Sequence, residues 1–540
     1  MGVAAAVGSS AIVDRRGLAP HAVAHWAELA PERIALMHVD GRSLTYRQLD
    51  EEGRRWATAL GTLGVGEHHH VGTFLPNDFD AFRALLGIAW LRAVEVPLNT
   101  AYTGSMLRYA LNLAEVTTLV TTAGLASRLD EIRDDLTTLE TVVLLDEEEP
   151  VARAASAAPW RVVGRSTLLE GAAPGDLAGP EYWDLATLLF TSGTTGPSKA
   201  VRLPWGLIHH NWWWTPEDTF GEGEPLLCAL PLFHIAGRGA FNVAMARGGT
   251  YATRDKFSVA SFWADVRATG AVAAALVGPI TSLLYAEPPR PDDRDHTLRH
   301  CVLGPMITQM DDFEHRFGVK VCVAYGQTEI GVVIGSGWDH GPPANCGTAC
   351  DDFEVRIVDA HDQPLGPNEV GEMVVRSSRP WTLNVGYHNM PEATAEAWRN
   401  GWFHTGDALR YDEDGRFYFV DRLKDAIRRR GENISSFEVE SAVMQHPEVL
   451  ECAAVGIPVE HGDEEVLVAV VVRDEPAFDP GELLEFLEVR MTRFMVPRFV
   501  AVVAELPKSE TTARVRKNEL RALRLELQAF DRRVPGPPAV

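Results

Sequence analysis

Thirteen consecutive residues carry the densest local chemistry in this chain: Leu189-Phe190-Thr191-Ser192-Gly193-Thr194-Thr195-Gly196-Pro197-Ser198-Lys199-Ala200-Val201. An apolar segment runs straight into hydroxyls and glycines, followed by a single lysine. Hydroxyls and uncrowded backbone N–H groups are phosphate ligands, and glycine lets the main chain approach an anion closely. The string therefore points to a phosphate loop built from Thr191, Ser192, Gly193, Thr194 and Thr195, with Lys199 as its cation. The plain alternative is a polar loop at a strand end. It is not the G-x-x-x-x-G-K-[ST] loop, because Ser198 separates Gly196-Pro197 from Lys199 and no Ser or Thr follows the lysine.

Other reactive residue types read as structural. Cys346 and Cys350 form a lone C-x3-C without the second ligand pair that structural zinc requires. Cys228, Cys301, Cys322 and Cys452 sit in apolar runs and read as small buried hydrophobes. His68-His69-His70, at a predicted strand start, reads as a surface turn rather than a metal site.

The elements that must position the loop alternate between strand and helix. Apolar residues recur at three- and four-residue spacing over 47–63, which predicts a helix. The run 71–75 ending at Pro76 predicts a strand. A helix over 80–94 and a strand over 95–98 follow, with further strands over 116–121 and 141–145. Short apolar runs between periodic helices are the pattern of a parallel sheet with crossover helices. After about residue 350 the texture becomes β-rich, with short strands at 353–358, 371–376 and 416–420. A compact βαβ-type unit follows the charged junction Asp421-Arg422-Leu423-Lys424-Asp425. It has helices over 436–445 and 481–492 and strands over 449–455, 465–472 and 499–503. No repeat with a period of 20 to 50 residues is present.

Composition excludes some partners. The 540 residues carry 50 Lys and Arg against 75 Asp and Glu, a formal charge of −25. A field that acidic disfavours nucleic acid and anionic membrane, though a locally positive pocket still admits an anionic substrate. Hydrophobic content of 46% with 23% charged residues is that of an ordinary globular chain, so wholesale disorder is excluded. No apolar run approaches membrane-spanning length, and the first residues lack signal-peptide features. A reduced, cytoplasmic protein is the expectation.

The loop string closely resembles the phosphate loop of the adenylate-forming superfamily: acyl-CoA synthetases, peptide-synthetase adenylation domains and luciferases. Further segments follow that family in order over roughly residues 20 to 525. Leu230-Pro231-Leu232-Phe233-His234-Ile235-Ala236-Gly237 resembles its aromatic-gate segment, and Tyr325-Gly326-Gln327-Thr328-Glu329 its adenine and magnesium motif. Gly371-Glu372-Met373-Val374-Val375-Arg376 and Trp402-Phe403-His404-Thr405-Gly406-Asp407 follow at the family's spacing. Asp421 to Asp425 resembles the hinge, and Arg430-Gly431-Glu432-Asn433-Ile434-Ser435 the loop after it. The last string looks most like those of carnitine/crotonobetaine-type and other acyl-CoA ligases.

The resemblance implies an α/β fold in which a large N-terminal domain of α/β subdomains carries a small β-barrel-like subdomain. A small mobile α+β C-terminal domain completes it. The corresponding boundaries are 1–422, a hinge at 423–424, and 425–540. It also implies ATP or acyl-AMP and coenzyme A as substrates, with Mg2+ as cofactor. Thr328 would bind the α-phosphate, Glu329 the metal, Tyr325 the adenine face beside Gly326, Gly304 and Pro305, and Asp407 the ribose hydroxyls. Arg422 would hold the ribose or phosphate from the other side, or else form a junction ion pair. His234 would gate the acyl pocket, bordered by Trp212, Gly278, Gly304 and Gly331. Lys424 would be the hinge, and Gly431 would line the pantetheine tunnel. Arg428, Arg429 and Arg430 could steer coenzyme A phosphates or form a solvated face.

The chain departs from the pattern at one place. The family's adenylation lysine lies in Leu-Pro-Lys-Thr-x-x-Gly-Lys, whereas here the segment reads Leu506-Pro507-Lys508-Ser509-Glu510-Thr511-Thr512-Ala513-Arg514-Val515-Arg516-Lys517. Counting forward from Leu506 reaches Ala513, and counting back from Val515 reaches Arg514, because the loop is one residue longer. Losing one preorganised charge donor costs roughly 10²–10³ in rate, and arginine is a broad fork rather than a point charge, its reach shifted by the inserted residue. Leu303-Gly304-Pro305-Met306 also departs from the family's Gly-Gly-Ala-Pro. Three readings remain open. The first is a ligase deficient in adenylation that thioesterifies acyl-AMP supplied by a partner ligase. The second is a complete synthetase using Arg514, and the third a non-catalytic adenylate-binding protein. A homodimer is compatible with each.

Overall fold

The structure is a computed structural model that describes residues 14–146, 158–191, 198–304, 309–342, 345–422, 427–429, 432–434, 436–458, 464–473, 475–488, 490–491, 495–508, 515–523 and 529–532. Two compact units separate: most of the chain up to 355 together with 375–403, and 356–374 together with the chain from 404 onward. The architecture is mixed α/β, with a large N-terminal part and a small C-terminal α/β part.

In the first unit, one sheet orders its strands as Arg161–Gly164, Thr141–Leu144, Thr118–Thr121, His70–Phe74, Val94–Pro97, Leu185–Thr191 and Lys199–Pro204. The first six are parallel and the last pair antiparallel. The expected helix over 80–94 is Phe79–Trp90. It ends early because Arg92 takes φ +54, which turns the chain so that Val94 can begin a strand. The tip of the His68-His69-His70 segment is a surface turn, as expected. His70 departs from that expectation: it opens its strand half-buried, with Nδ1 2.6 Å from the Ala114 carbonyl. Burial lowers its pKa.

A second sheet of this unit runs parallel from Lys320–Gln327 through His300–Gly304, Ala273–Val277, Pro225–Leu227 and Thr250–Thr253 to Ile34–His38. Helices Phe262–Thr269 and Met310–Phe317 cover it through a core that includes Phe313, Phe317, Leu303 and Val321. Ligands of open parallel sheets bind beyond the carboxyl ends of the strands, which is where the Gly278, Gly304 and Tyr325 segments fall.

Strands Gly371–Ser377, Phe403–Tyr411 and Phe417–Arg422 lie side by side in that order, and their residues 371–374, 404–411 and 417–422 belong to the second unit. Its last sheet orders Val449–Pro458, Glu464–Val472, Phe499–Val502 and Phe530–Asp531. Strand Glu464–Val472 is antiparallel to the first and parallel to the third, and helix Pro480–Glu488 forms the crossover. Side chains alternate between faces: Val466, Val468 and Val470 pack on helices Ser436–Val443 and Pro480–Glu488, while Leu467 and Ala469 pack on Leu506 and Leu520. Among the described residues, no helix is long and apolar enough to cross a membrane.

One buried group sets a pH response. His210 ends helix Trp205–His210 at 5% exposure. Burial, reinforced by His209 and Arg379, lowers its pKa to about 3. The unfolded chain therefore binds one more proton than the folded chain between that value and an ordinary histidine pKa of about 6.5. Stability is complete above that range and falls with acid by up to about 1.4 kcal/mol per pH unit inside it. Urea unfolding from about pH 7 down to about pH 4 should show this slope. His210→Asn should flatten it by about one proton.

Candidate functional site

Strands Leu185–Thr191 and Lys199–Pro204 pair so that Thr191 stands opposite Lys199. The segment joining them carries Ser192, Gly193, Thr194 and Thr195, which lie outside the described residues. Its exit is held by Tyr109, whose hydroxyl donates to the Ser198 carbonyl at 2.9 Å. Lys199 Nζ lies 4.4 Å from the centre of the Tyr387 ring, a cation–π contact that anchors the ammonium without neutralising it.

The Tyr325 to Glu329 motif is the end of strand Lys320–Gln327 and its hairpin turn into Gly331–Gly335. Gln327 faces Gly331, so Thr328 and Glu329 stand at the tip, and Tyr325 is buried beneath them. A Cβ on Gly326 would come within 2.2 Å of the Gly331 carbonyl oxygen, so only glycine fits this register. Gly326→Ala should therefore force the backbone apart. The expected stability cost is about 1–3 kcal/mol, with AMP binding weakened at least tenfold in calorimetric titration. Unchanged AMP affinity would show that the tip does not hold nucleotide.

Two residues that sequence reasoning missed fix Glu329. Asn384 is buried, and both its main-chain N–H and its Nδ2 donate to the Glu329 carbonyl at 2.9 Å. The Tyr387 hydroxyl donates to Glu329 Oε1 at 3.2 Å. Burial first, and the Glu329 carboxylate second, raise the Tyr387 pKa, so the phenol keeps its proton. Lys199, Tyr387 and Glu329 thus form one row from the start of strand Lys199–Pro204 to the hairpin tip. The only sequence signal for the two missed residues is the turn-like Asn384-Val385-Gly386-Tyr387, which names no chemistry.

The acyl-pocket candidates form two groups. Gly278 follows strand Ala273–Val277, and Val277 pairs with Gly304 at the end of the next strand. Pro305 lies outside the described residues. His234 is the N-cap residue of helix Ile235–Ala246, with its ring 5.0 Å from that of Phe233. Trp212 is buried against Gly239 of that helix. Buried Asn211 bridges the second group: Nδ2 donates to the Ile235 carbonyl at 3.3 Å, and Oδ1 lies 3.3 Å from where a Gly331 Cβ would stand. Trp212, His234 and Gly331 therefore share one neighbourhood around Asn211, another residue the sequence did not single out.

In the second unit, Glu372 ties two motif segments together. Its carboxylate accepts from the Gly406 N–H at 3.0 Å and contacts His404 Nδ1 at 2.9 Å, while Thr405 Oγ1 donates to the Met373 carbonyl at 2.7 Å. This clamp presents Asp407, which is buried and pairs in register with Arg422 across the neighbouring strand. Asp421 accepts from both the N–H and the hydroxyl of Ser436 at 2.6 and 2.7 Å, starting helix Ser436–Val443.

One expectation is corrected here. Arg429 is not a solvent-facing coenzyme A ligand: it is 7% exposed, its Nη2 lies 2.6 Å from Glu465, and its Nη1 donates to the Val496 carbonyl at 3.1 Å. Position 429 points inward because strand Ile427–Arg429 alternates faces. Arg428 lies in that strand, and its side chain is outside the described residues. Lys424, Arg430, Gly431 and Arg514 are also outside them. The flanking lysines are engaged: Lys508 with Glu451 at 2.6 Å, and Lys517 with Glu440 at 2.8 Å and Ser436 Oγ at 2.5 Å.

The profile of the AMP-binding enzyme family matches residues 23–387, and that of the AMP-binding enzyme C-terminal domain matches 438–512. Crotonobetaine/carnitine–CoA ligases of Salmonella paratyphi B and Salmonella typhimurium are 31% and 30% identical, each over 88% of this chain and 93% of theirs. The anthranilate CoA ligase AuaEII, solved with anthranoyl-AMP, superposes with a TM-score of 0.83 at 21% identity, covering 94% of this chain and 98% of that one. ATP-bound MatB from Rhodopseudomonas palustris gives 0.78 at 25% identity, over 93% and 98%.

Proposed function

This chain belongs to the AMP-binding enzyme family as an acyl-CoA ligase that works through an acyl-adenylate, and we propose that it is deficient in adenylation and acts mainly in thioester formation. One observation carries the reading. Between Leu506 and Lys517 the only lysines are Lys508 and Lys517, and both are committed to acidic partners. The position the family reserves for a free ammonium holds Ala513 or Arg514. Bringing a carboxylate to the α-phosphate of ATP joins two anions, so a missing cation there raises that barrier most.

The second half-reaction does not place this charge between two anions. The sulfur of coenzyme A attacks the acyl carbonyl carbon, a C–S bond forms, the bond from that carbon to the AMP phosphate oxygen breaks, and the thiol proton goes to solvent. Lys199, Thr328 and the phosphate loop would take the charge of the departing phosphate. Asp407 and Arg422 would hold the ribose, and Tyr325 the adenine. Trp212, Gly278, Gly304 and Gly331 would border the acyl group, with His234 at the gate. Lys424 in the 423–424 hinge would let the 425–540 domain change pose, and Gly431 would line the thiol path, with Arg428 and Arg430 toward the coenzyme A phosphates.

Glu329 fits Mg2+: it is a half-buried carboxylate held by a neutral phenol, the kind of single oxygen donor Mg2+ takes alongside water and phosphate. When bound, the ion would neutralise phosphate charge. The acyl-adenylate would come from a partner ligase of the adenylating kind.

Two assays test the proposal. ATP–pyrophosphate exchange with candidate acids should be near background, while synthetic acyl-adenylate plus coenzyme A should give thioester. Robust exchange would instead mark a complete synthetase in which Arg514 serves. Thioester from neither route would point to a binding protein.

A further inference from the structure

Away from the hairpin tip, three side chains from distant parts of the chain meet at the surface of the first unit. His70 opens strand His70–Phe74, Glu115 lies in the turn before strand Thr118–Thr121, and His388 follows Tyr387. Each offers one ligand atom within 4.8 Å of those of the other two. His388 Nε2 is 3.1 Å from Glu115 Oε2, and the two imidazoles meet edge to face with their centres 4.9 Å apart. We propose that His70, Glu115 and His388 form a binding site for a divalent transition-metal ion of the zinc class.

The donor set suits such an ion, since two imidazoles and one carboxylate bind zinc with a position left for water. The supporting shell is also of the required kind. His70 Nδ1 is bonded to the Ala114 carbonyl, which fixes the ring and its tautomer as outer partners of metal-bound histidines do. Beside Glu115, Asn389 Nδ2 donates to the Leu113 carbonyl at 3.4 Å. The His388 N–H donates to the Ala200 carbonyl at 2.8 Å, which sets the ring's root.

The backbone supports the same reading. Glu115 and Asn389 both take left-handed conformations, φ +50 and +54. A glutamate held there is strained and uncommon, and such strain collects at functional positions. Solvent reaches the site through Glu115, whose side chain is 53% exposed, whereas that of His388 is 15% exposed. Because Tyr387 adjoins His388, a bound metal would also brace the residue whose hydroxyl donates to Glu329.

The test uses the full chain, stripped with chelator and titrated with ZnCl2 by calorimetry, with metal content measured after dialysis. One zinc per chain is expected, and Co2+ in its place should show the intense visible bands of a tetrahedral site. His388→Ala and His70→Ala should each weaken zinc at least about tenfold. Glu115→Gln, an exposed change that keeps the fold, should also weaken it and dim the Co2+ bands. No zinc uptake, or undiminished uptake in Glu115→Gln and His388→Ala, would overturn the proposal. The latter result would place the metal elsewhere, for example at Asp311, Glu314 and His340, which also lie within ligating distance of one another.

Discussion

Placing lysine at Arg514 and deleting one residue from Glu510 to Thr512 should raise ATP–pyrophosphate exchange by roughly 10²–10³. Thioester formation from supplied acyl-adenylate should stay within about twofold, since that step does not place the ammonium between two anions. Both changes are needed, because the loop is one residue longer than the family's and a lysine on the longer loop would reach a different point. On the proposed reading the arginine alone would not substitute. A guanidinium is a planar fork matched to two-pronged contacts, and the adenylation centre needs one compact charge between a carboxylate and a phosphate. Nor, on that reading, would Lys508 and Lys517, which pair with Glu451 and Glu440. If exchange stays at background once lysine and loop length are restored, the lesion lies elsewhere, and the Leu303-Gly304-Pro305-Met306 departure is the next suspect.

A second large effect is expected in the core of the first unit. Arg238, one turn into the helix that His234 caps, forms an ion pair with Glu95 at 2.7 Å, and both side chains are under 5% exposed. Glu95 also accepts from Thr73 Oγ1 at 2.7 Å. Arg238→Met should cost about 3–5 kcal/mol, because it leaves a carboxylate buried without its partner. Adding Glu95→Gln should restore most of that loss, since the amide keeps the Thr73 bond and no bare charge remains. Urea unfolding of the two single variants and the double variant measures the coupling. Losses that simply add would show that the two groups do not act as a pair. Because the pair ties strand Val94–Pro97 to helix Ile235–Ala246, the His234 segment at that helix's start depends on it for its position.

Much of the fold was legible because its signals are local. The helix Tyr46–Gly61 and the strands at 70–74, 141–144 and 353–358 announce themselves by periodicity, as does the crossover in the last sheet. One boundary slipped where a left-handed residue ended an element, at Arg92, and the helix Gly104–Leu113 before left-handed Glu115 was not anticipated. Arg429 shows the limit of reading charge by clustering: three adjacent arginines look like one patch, but a strand sends alternate side chains to opposite faces, and the middle one is buried against Glu465.

The candidate site divides the same way. The hydroxyl- and glycine-rich string, the Tyr325 to Glu329 motif, the Asp407 segment and the residues at 513–514 are all properties of contiguous residues, so sequence alone determined the family, the α/β class and the question of whether adenylation is retained. Only the tertiary structure decided what holds those residues. Tyr387 reaches Glu329 across 58 residues of chain, Asn384 holds the same glutamate from 55 away, and His70 meets His388 from the other end of the domain. None of these partners carries a local signature. A side chain's type is written where it stands, but its neighbour is set by which strands and turns pack together, and that is a property of the whole fold.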